Sequence, residues 1–340
     1  MSNAPLSSPI LVTGAAGFIG YHLCQGLLAA GHTVVGLDNL NDYYDIDLKN
    51  SRLDLLQAKE NFDFAKIDLQ DKEALLNLFK THQFDHVVNL AAQAGVRYSL
   101  DHPEAYIDSN ITGFLNVLEA CRAHPVQHLI YASSSSVYGL NKEMPFNTDQ
   151  KTDTPLSLYA ASKKANELMA HSYASLFKIP CTGLRFFTVY GPWGRPDMAL
   201  YKFSDLIYQG QPIEIYNKGD MMRDFTYIDD IVTPIIKLIG MDAPTGDVPT
   251  ELYNIGGGNP KNLMDVITML EEQLGMEADK KFLPMQPGDV KETSADTKKL
   301  ADKTGYTPQT SIEQGLGNFV DWYKEYKDTD EHQATLQAQQ

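Results

Sequence analysis

The sequence predicts an α/β protein: a Rossmann-type, doubly wound parallel sheet followed by a smaller C-terminal α/β lobe. Three observations carry this. Short apolar strands alternate with helical patterns from Ile10 to Phe187, the rhythm of parallel strands joined by right-handed crossovers. The first unit, ILVTGAAGFIG, reads as a strand, a glycine turn and a helix, with Gly14, Gly17 and Gly20 evenly spaced. The second strand, Thr33 to Leu37, ends in Asp38, where a dinucleotide-binding unit carries its ribose-binding carboxylate.

In the first unit Ile10 to Val12 form a buried strand. The glycines clear side chains from the place where backbone meets a pyrophosphate. The helix that follows, with Phe18, Ile19, Leu23, Leu27 and Leu28, offers its unpaired N–H groups to the anion. Asp38, with Asn39 beside it, accepts hydrogen bonds from an adenosine ribose and repels a 2′-phosphate, which favours NAD over NADP. A polar, aromatic loop then enters a helix that runs to about Lys59.

Asp63 to Ile67 form a third strand, with Asp68 and Leu69 at its end as candidates to line an adenine pocket. His86 to Ala91 read as a fourth strand, nearly all apolar, as a sheet covered on both faces requires. It runs into AAQAGVRYS, where Ala91 and other small residues let backbone lie against a cofactor and Arg97 is a candidate anion contact. A long helix spans Asp108 to Cys121. His128 to Ala132 form the fifth strand, and Ser133 to Ser136 stand at its tip, where ligands bind in a doubly wound sheet.

Residues 140–157 are a polar excursion, Leu158 to Phe177 a helix, and Cys181 to Phe187 the sixth strand. Beyond that, glycines, prolines and aromatics break the rhythm and the elements shorten. The expected division is a dinucleotide domain over 8–188, a substrate lobe over 189–330 with some exchange back into the large domain, and a polar tail over 331–340 that is disordered or weakly helical.

Composition sets limits on partners. The chain has 340 residues, 43% of them hydrophobic, and a net charge of -16 without a basic block. Nucleic acid and anionic membrane surfaces are poor partners for such a charge, although a few arginines can still build a local anion site. Cys24, Cys121 and Cys181 are odd in number and widely spaced, which reads as buried packing in a reducing compartment and not as a disulfide or metal set. The N-terminal segment lacks a basic start and apolar core, and no apolar run approaches the roughly 18 residues of a membrane span. A cytoplasmic protein is expected.

The chemistry lies in three residues. Tyr159 and Lys163 stand four apart on one helix and so share a face. A tyrosine near its ordinary pKa of about 10 is a poor base at neutral pH, but a neighbouring ammonium and a cationic nicotinamide favour the phenolate. Ser134 adds a hydroxyl that bonds the substrate oxygen and shares its proton. The set suits removal of a carbinol proton while hydride leaves for NAD.

From about Ile10 to Tyr323 the motifs GAAGFIG, LAAQAGVRYS, YASSSSVYG, YAASKKANE, LRFFTVYGPWGRPDM and MMRDFTYIDD resemble the extended short-chain dehydrogenases/reductases. Within that class the resemblance is to the nucleotide-sugar epimerases, in particular the UDP-glucuronate 4-epimerases of polysaccharide synthesis. It implies that Gly14, Gly17, Gly20 and Asp38 contact NAD, that Asp68 lies beside the adenine, and that Tyr159 is base and acid. Lys163 would be its electrostatic partner and nicotinamide-ribose contact, and Ser134 the catalytic hydroxyl. Arg195 and Arg223 would approach the UDP phosphates, and Asp289 would hold the uridine ribose. The implied reaction takes hydride from C4, turns the 4-keto sugar about its diphosphate, and returns the hydride to the other face. Two long helices per subunit would pair into a homodimer.

A 4-keto glucuronate is a β-keto acid and loses carbon dioxide readily, so the carboxylate must be held while the ring turns. Ser135, Ser136 and Thr188 are candidates for a cradle of hydroxyls, and Thr188 replaces the asparagine of galactose-type epimerases. Arg185, inside a buried strand, reaches either the sugar carboxylate or a structural carboxylate, the latter being favoured. The serines leave no acid–base pair for 4,6-dehydration and no acidic residue for decarboxylation. Epimerisation of a neutral or N-acetylated UDP-hexose is the alternative, with decarboxylation behind it and a non-catalytic NAD-binding scaffold last.

Overall fold

The computed structural model describes residues 5–286 and 290–338, with side chains to residue 329. Its first six strands are β1 (Ile10–Thr13), β2 (Val34–Asp38), β3 (Phe62–Lys66), β4 (His86–Asn89), β5 (His128–Ser134) and β6 (Cys181–Phe186). They pair in parallel in the order β3-β2-β1-β4-β5-β6, and Thr250–Ile255 adds a seventh parallel strand beside β6. The order reverses at β1, whose neighbours are β2 and β4. A crevice opens there at the carboxyl ends of the strands, where such sheets bind ligands.

Helices cover both faces. One face buries Leu11, Val35, Val87, Leu129 and Cys181 against Phe79, Phe114, Val117, Ala170 and Ala174. The other buries Ile10, Val12, Val88 and Ile130 against α1 (Phe18–Ala29) and continues into the C-terminal lobe. The exchange between lobes is larger than the edge strand. The helix Ile228–Ile239 lies on α1, close enough that a Cβ on Gly26 would meet Ile236 Cδ1 at 2.6 Å. All three cysteines are free and buried.

One sequence expectation needs correction. The helix expected from Asp108 to Cys121 is a π-helical stretch, Ile107–Gly113, running into an α-helix, Phe114–Ala123. The Asn110 carbonyl accepts from Asn166 Nδ2 at 2.6 Å, and such a bond inserted into the helical ladder widens the turn. The last helix runs from Ile312 to Ala338. No helix among the described residues is long and apolar enough to cross a membrane.

At the far end of the sheet His86 and His128 face each other on β4 and β5, ring centroids 6.4 Å apart. His128 bonds Thr182 Oγ1 through Nε2 at 2.8 Å, and the Nδ1 atoms of both rings have no partner. Burial holds His128 down to about 3, helped by the charges of His86 and Lys303, and burial also lowers His86 against the pull of Asp85. With a folded value below the unfolded 6.5, stability is full above that value and drains as pH falls below it. From His128 alone the loss at about pH 5 amounts to about 2 kcal/mol. Urea midpoints at neutral and mildly acid pH measure it, and His128→Gln flattens the difference.

Candidate active site

The crevice is a cavity of about 710 Å³, within the size range of small-molecule sites. Its floor is the glycine turn. Gly14 has φ +72, and a Cβ there would stand 2.9 Å from the Ala91 nitrogen, so the β1 and β4 ends close on each other only because no side chain intervenes. Ala91 N–H is held by Thr13 Oγ1 at 3.1 Å. Gly17, Phe18, Ile19 and Gly20 line the same floor with Leu69 and Ala91. The residues present fit a dinucleotide: bare backbone at the turn, a helix N-terminus behind it and carboxylates at the next two strand ends.

Those carboxylates are already engaged. Asp38 accepts from Ala16 N at 3.1 Å and from Leu40 N at 2.9 Å, so it braces the turn it would serve. Burial raises its pKa, while those two N–H groups and Lys49 pull it back. Asn39 Nδ2 donates to Asp68 Oδ2 at 2.8 Å, which ties the β2 and β3 ends together at the cavity wall.

The residues expected to be reactive stand at the other end. Ser134 is the last residue of β5, and its Oγ accepts from Ser136 N at 3.2 Å as the chain turns into Ser135–Tyr138. Tyr159 and Lys163 lie on the helix Leu158–Phe177, which starts where Ser157 Oγ accepts from Ala160 N at 3.1 Å. Burial pushes the half-buried Tyr159 phenol up, and a hydrogen bond with Ser134 and the charge of Arg195 oppose it. Burial also lowers Lys163 to about 8, against the nearby Glu167 carboxylate. The phenolate expected from the sequence therefore awaits a further positive charge, which a bound nicotinamide supplies.

Thr188, Ser135 and Ser136 line the cavity between this set and the C-terminal lobe. Thr188 opens the strand Thr188–Tyr190, paired in parallel with Phe225–Tyr227. Arg195, Arg223 and Arg97 reach the same space. Arg195 Nε donates to Asp197 Oδ1 at 3.0 Å, and Tyr43 hydroxyl donates to Asp197 Oδ2 at 3.2 Å. Arg223 Nη2 donates to the Val290 carbonyl at 2.7 Å, and Arg97 lies 4.9 Å over the Tyr216 ring.

Arg185 is a correction as a substrate residue, because it is absent from the cavity lining. Its Nε and Nη2 reach Glu167 at 2.8 and 2.9 Å, and Ser133 Oγ donates to the same carboxylate at 2.7 Å. This buried pair holds the serine run to the helix of Tyr159 and Lys163, which is the structural alternative the sequence left open. Asp289 lies outside the described residues.

Three contributors escaped the sequence reading. Asn110 Oδ1 accepts from Gln93 N at 2.8 Å and its Nδ2 donates to Ser162 Oγ at 3.0 Å, linking the cavity wall to the helix of Tyr159 and Lys163. Asp224, fully buried, accepts from Gly257, Gly258 and Ala295 nitrogens at 2.9–3.0 Å and anchors the neighbour of Arg223. Glu167 had a signal available, since it stands four residues after Lys163 on one helical face.

Known proteins are similar to this chain in sequence and fold. The sequence profile of the NAD dependent epimerase/dehydratase family matches residues 10–256. Protein CapI of Staphylococcus aureus is 52% identical over 330 residues, covering 93% of this chain and 98% of the relative. A probable UDP-glucuronate 4-epimerase of Rhizobium meliloti is 46% identical over 327 residues, covering 92% and 96%. The crystal structure of Bacillus cereus UDP-glucuronic acid 4-epimerase with UDP-glucuronic acid and NAD superposes with a TM-score of 0.87, at 36% identity, over 94% of this chain and 99% of the other. With this match over most of its length, the chain belongs to the NAD dependent epimerase/dehydratase family.

Proposed function

We propose that the protein is a cytoplasmic, NAD-dependent 4-epimerase that interconverts UDP-glucuronate and UDP-galacturonate. The observation that carries the reading is one cavity shared by the glycine turn, the Ser134, Tyr159 and Lys163 set, and the hydroxyls of Ser135, Ser136 and Thr188. Relatives described as UDP-glucuronate 4-epimerases support it.

NAD, held by Gly14, Gly17, Phe18, Ile19, Gly20, Asp38, Asn39, Asp68, Leu69 and Ala91, supplies a hydride acceptor for C4 that gives the same hydride back. Tyr159 takes the C4 hydroxyl proton and returns it when the ring has turned. Ser134 holds the C4 oxygen and bonds the phenol, and Lys163 keeps the phenolate favourable through its charge. Arg195, Arg223 and Arg97 hold the diphosphate end, with Asp289 at the uridine ribose, so that only the sugar swings. Ser135, Ser136 and Thr188 give the carboxylate neutral donors that can be exchanged during the swing, which a rigid ion pair would resist.

Product analysis with UDP-glucuronate, UDP-glucose and its N-acetyl counterpart tests the reading. Conversion of UDP-glucuronate to UDP-galacturonate, with the carboxylate intact and no net NADH, is the expected outcome. Turnover of a neutral sugar alone would remove the Thr188 argument, and a UDP-pentose with released carbon dioxide would make the protein a decarboxylase.

The working form is a homodimer in this reading. Leu115, Leu168 and Leu176 stand 39%, 58% and 71% exposed on the two helices Phe114–Ala123 and Leu158–Phe177, an apolar surface that a second copy would cover. Sedimentation is expected to give a dimer, and Leu168→Glu with Leu176→Glu a monomer.

A further inference from the structure

Arg52, on the helix Ile46–Gln57, is fully buried, yet its hydrogen bonds go to uncharged oxygens. Nη1 donates to the Ala16 carbonyl at 2.9 Å and to Tyr44 Oη at 2.7 Å. Nη2 donates to the carbonyls of Trp193 at 2.7 Å and Gly194 at 2.9 Å. Burying a guanidinium that hydrogen-bonds no carboxylate is costly even with the buried Asp38 near enough to feel its charge, so packing alone is a poor reason for it. What the fork does achieve is a join. Ala16 belongs to the glycine turn, and Trp193 and Gly194 directly precede Arg195.

The same loop is gripped a second time, because His22 Nε2 on α1 donates to the Pro192 carbonyl at 2.8 Å. Three consecutive carbonyls are thus held from the cofactor side. Trp193 itself has φ +58, a conformation that a bulky side chain keeps only where its surroundings impose it. Its ring packs on Tyr21 and on Trp322 of the last helix, with centroids 5.7 and 5.4 Å apart.

We propose that Arg52 is a positioning residue for the substrate site: it sets the Pro192–Arg195 loop against the glycine turn, so that Arg195 reaches both the diphosphate and the Tyr159 environment in one register. This rests on the reading of Arg195 as a substrate contact. The Arg195 charge lowers the Tyr159 phenol, so a loosened loop shows itself in the pH profile as well as in affinity.

The chain has two tryptophans, Trp193 and Trp322. Trp322 Nε1 is buried without a partner, so Trp322→Phe breaks no hydrogen bond and leaves Trp193 as sole reporter. In that background Arg52→Lys keeps the charge but loses the planar fork. With NAD bound, acrylamide quenching of Trp193 is expected to rise about twofold. The KM for UDP-glucuronate should rise about tenfold with kcat changed less than about threefold at its plateau, and the acid limb of kcat should move to higher pH. His22→Phe, which frees only Pro192, should show the same pattern more weakly and carries the test if Arg52→Lys does not fold.

Parental quenching and KM in a folded variant that retains NAD would overturn the proposal, as would loss of NAD with the sugar KM unchanged. Quenching needs no sugar, and UDP alone probes the diphosphate site. Failure of the parent to turn over UDP-glucuronate would sink the functional reading and leave this test standing.

Discussion

Tyr159→Phe is expected to lower kcat by about 10³-fold while the purified protein keeps its NAD. The phenylalanine ring preserves the edge contact with Tyr106, whose centroid lies 6.0 Å away, so the helix and the cavity wall stay in place. What disappears is the oxygen that exchanges a proton with the C4 hydroxyl. Ser134 cannot take over, because an alcohol is too weak an acid and its bond to Tyr159 is lost with the phenol. Timed product analysis measures the loss, and absorbance of acid-released cofactor measures retention. Activity within about tenfold of the parent would remove Tyr159 from the chemistry.

Gly20→Ala is expected to give a protein without cofactor, destabilised by about 3 kcal/mol. A Cβ at Gly20 would fall 2.0 Å from the Gly14 carbonyl oxygen and 3.1 Å from Ala15 Cα. The neighbour cannot retreat: Gly14 is pressed on Ala91 across the β1–β4 seam. The helix and the turn must therefore part where a pyrophosphate would sit. Gly317→Ala is the control, since its Cβ would meet only Gln273 Oε1 at 3.7 Å. That change is expected to be neutral or to stabilise by up to about 1 kcal/mol through helix propensity. Denaturant midpoints and cofactor content separate the two outcomes.

Legibility in the sequence followed the range of the forces involved. The parallel strands and the glycine turn were readable because buried strands, bare backbone and Asp38 each leave a local pattern. The shared face of Tyr159 and Lys163 follows from helical spacing alone. Contacts that join distant segments left no such pattern. Arg52 meets Trp193 across 141 positions and Asp224 meets Ala295 across 71, and neither residue looks unusual in its own stretch. Arg185 was ambiguous for a related reason: a buried arginine announces a partner but not which one, and Glu167 answers only in three dimensions. The π-helical stretch around Asn110 depends on Asn166, 56 positions away. The polar tail left disorder and weak helix both open because it lacks an apolar stripe, and the last helix continues to Ala338.

The central claim is that the C4 hydrogen leaves and returns within one cavity while Tyr159 handles the proton. UDP-glucuronate carrying deuterium at C4, incubated with the protein in ordinary water, tests it most directly. The expected product is UDP-galacturonate with the deuterium still at C4, formed without net NADH. Washout of the label into solvent, or a product that has lost its carboxylate, would contradict the account.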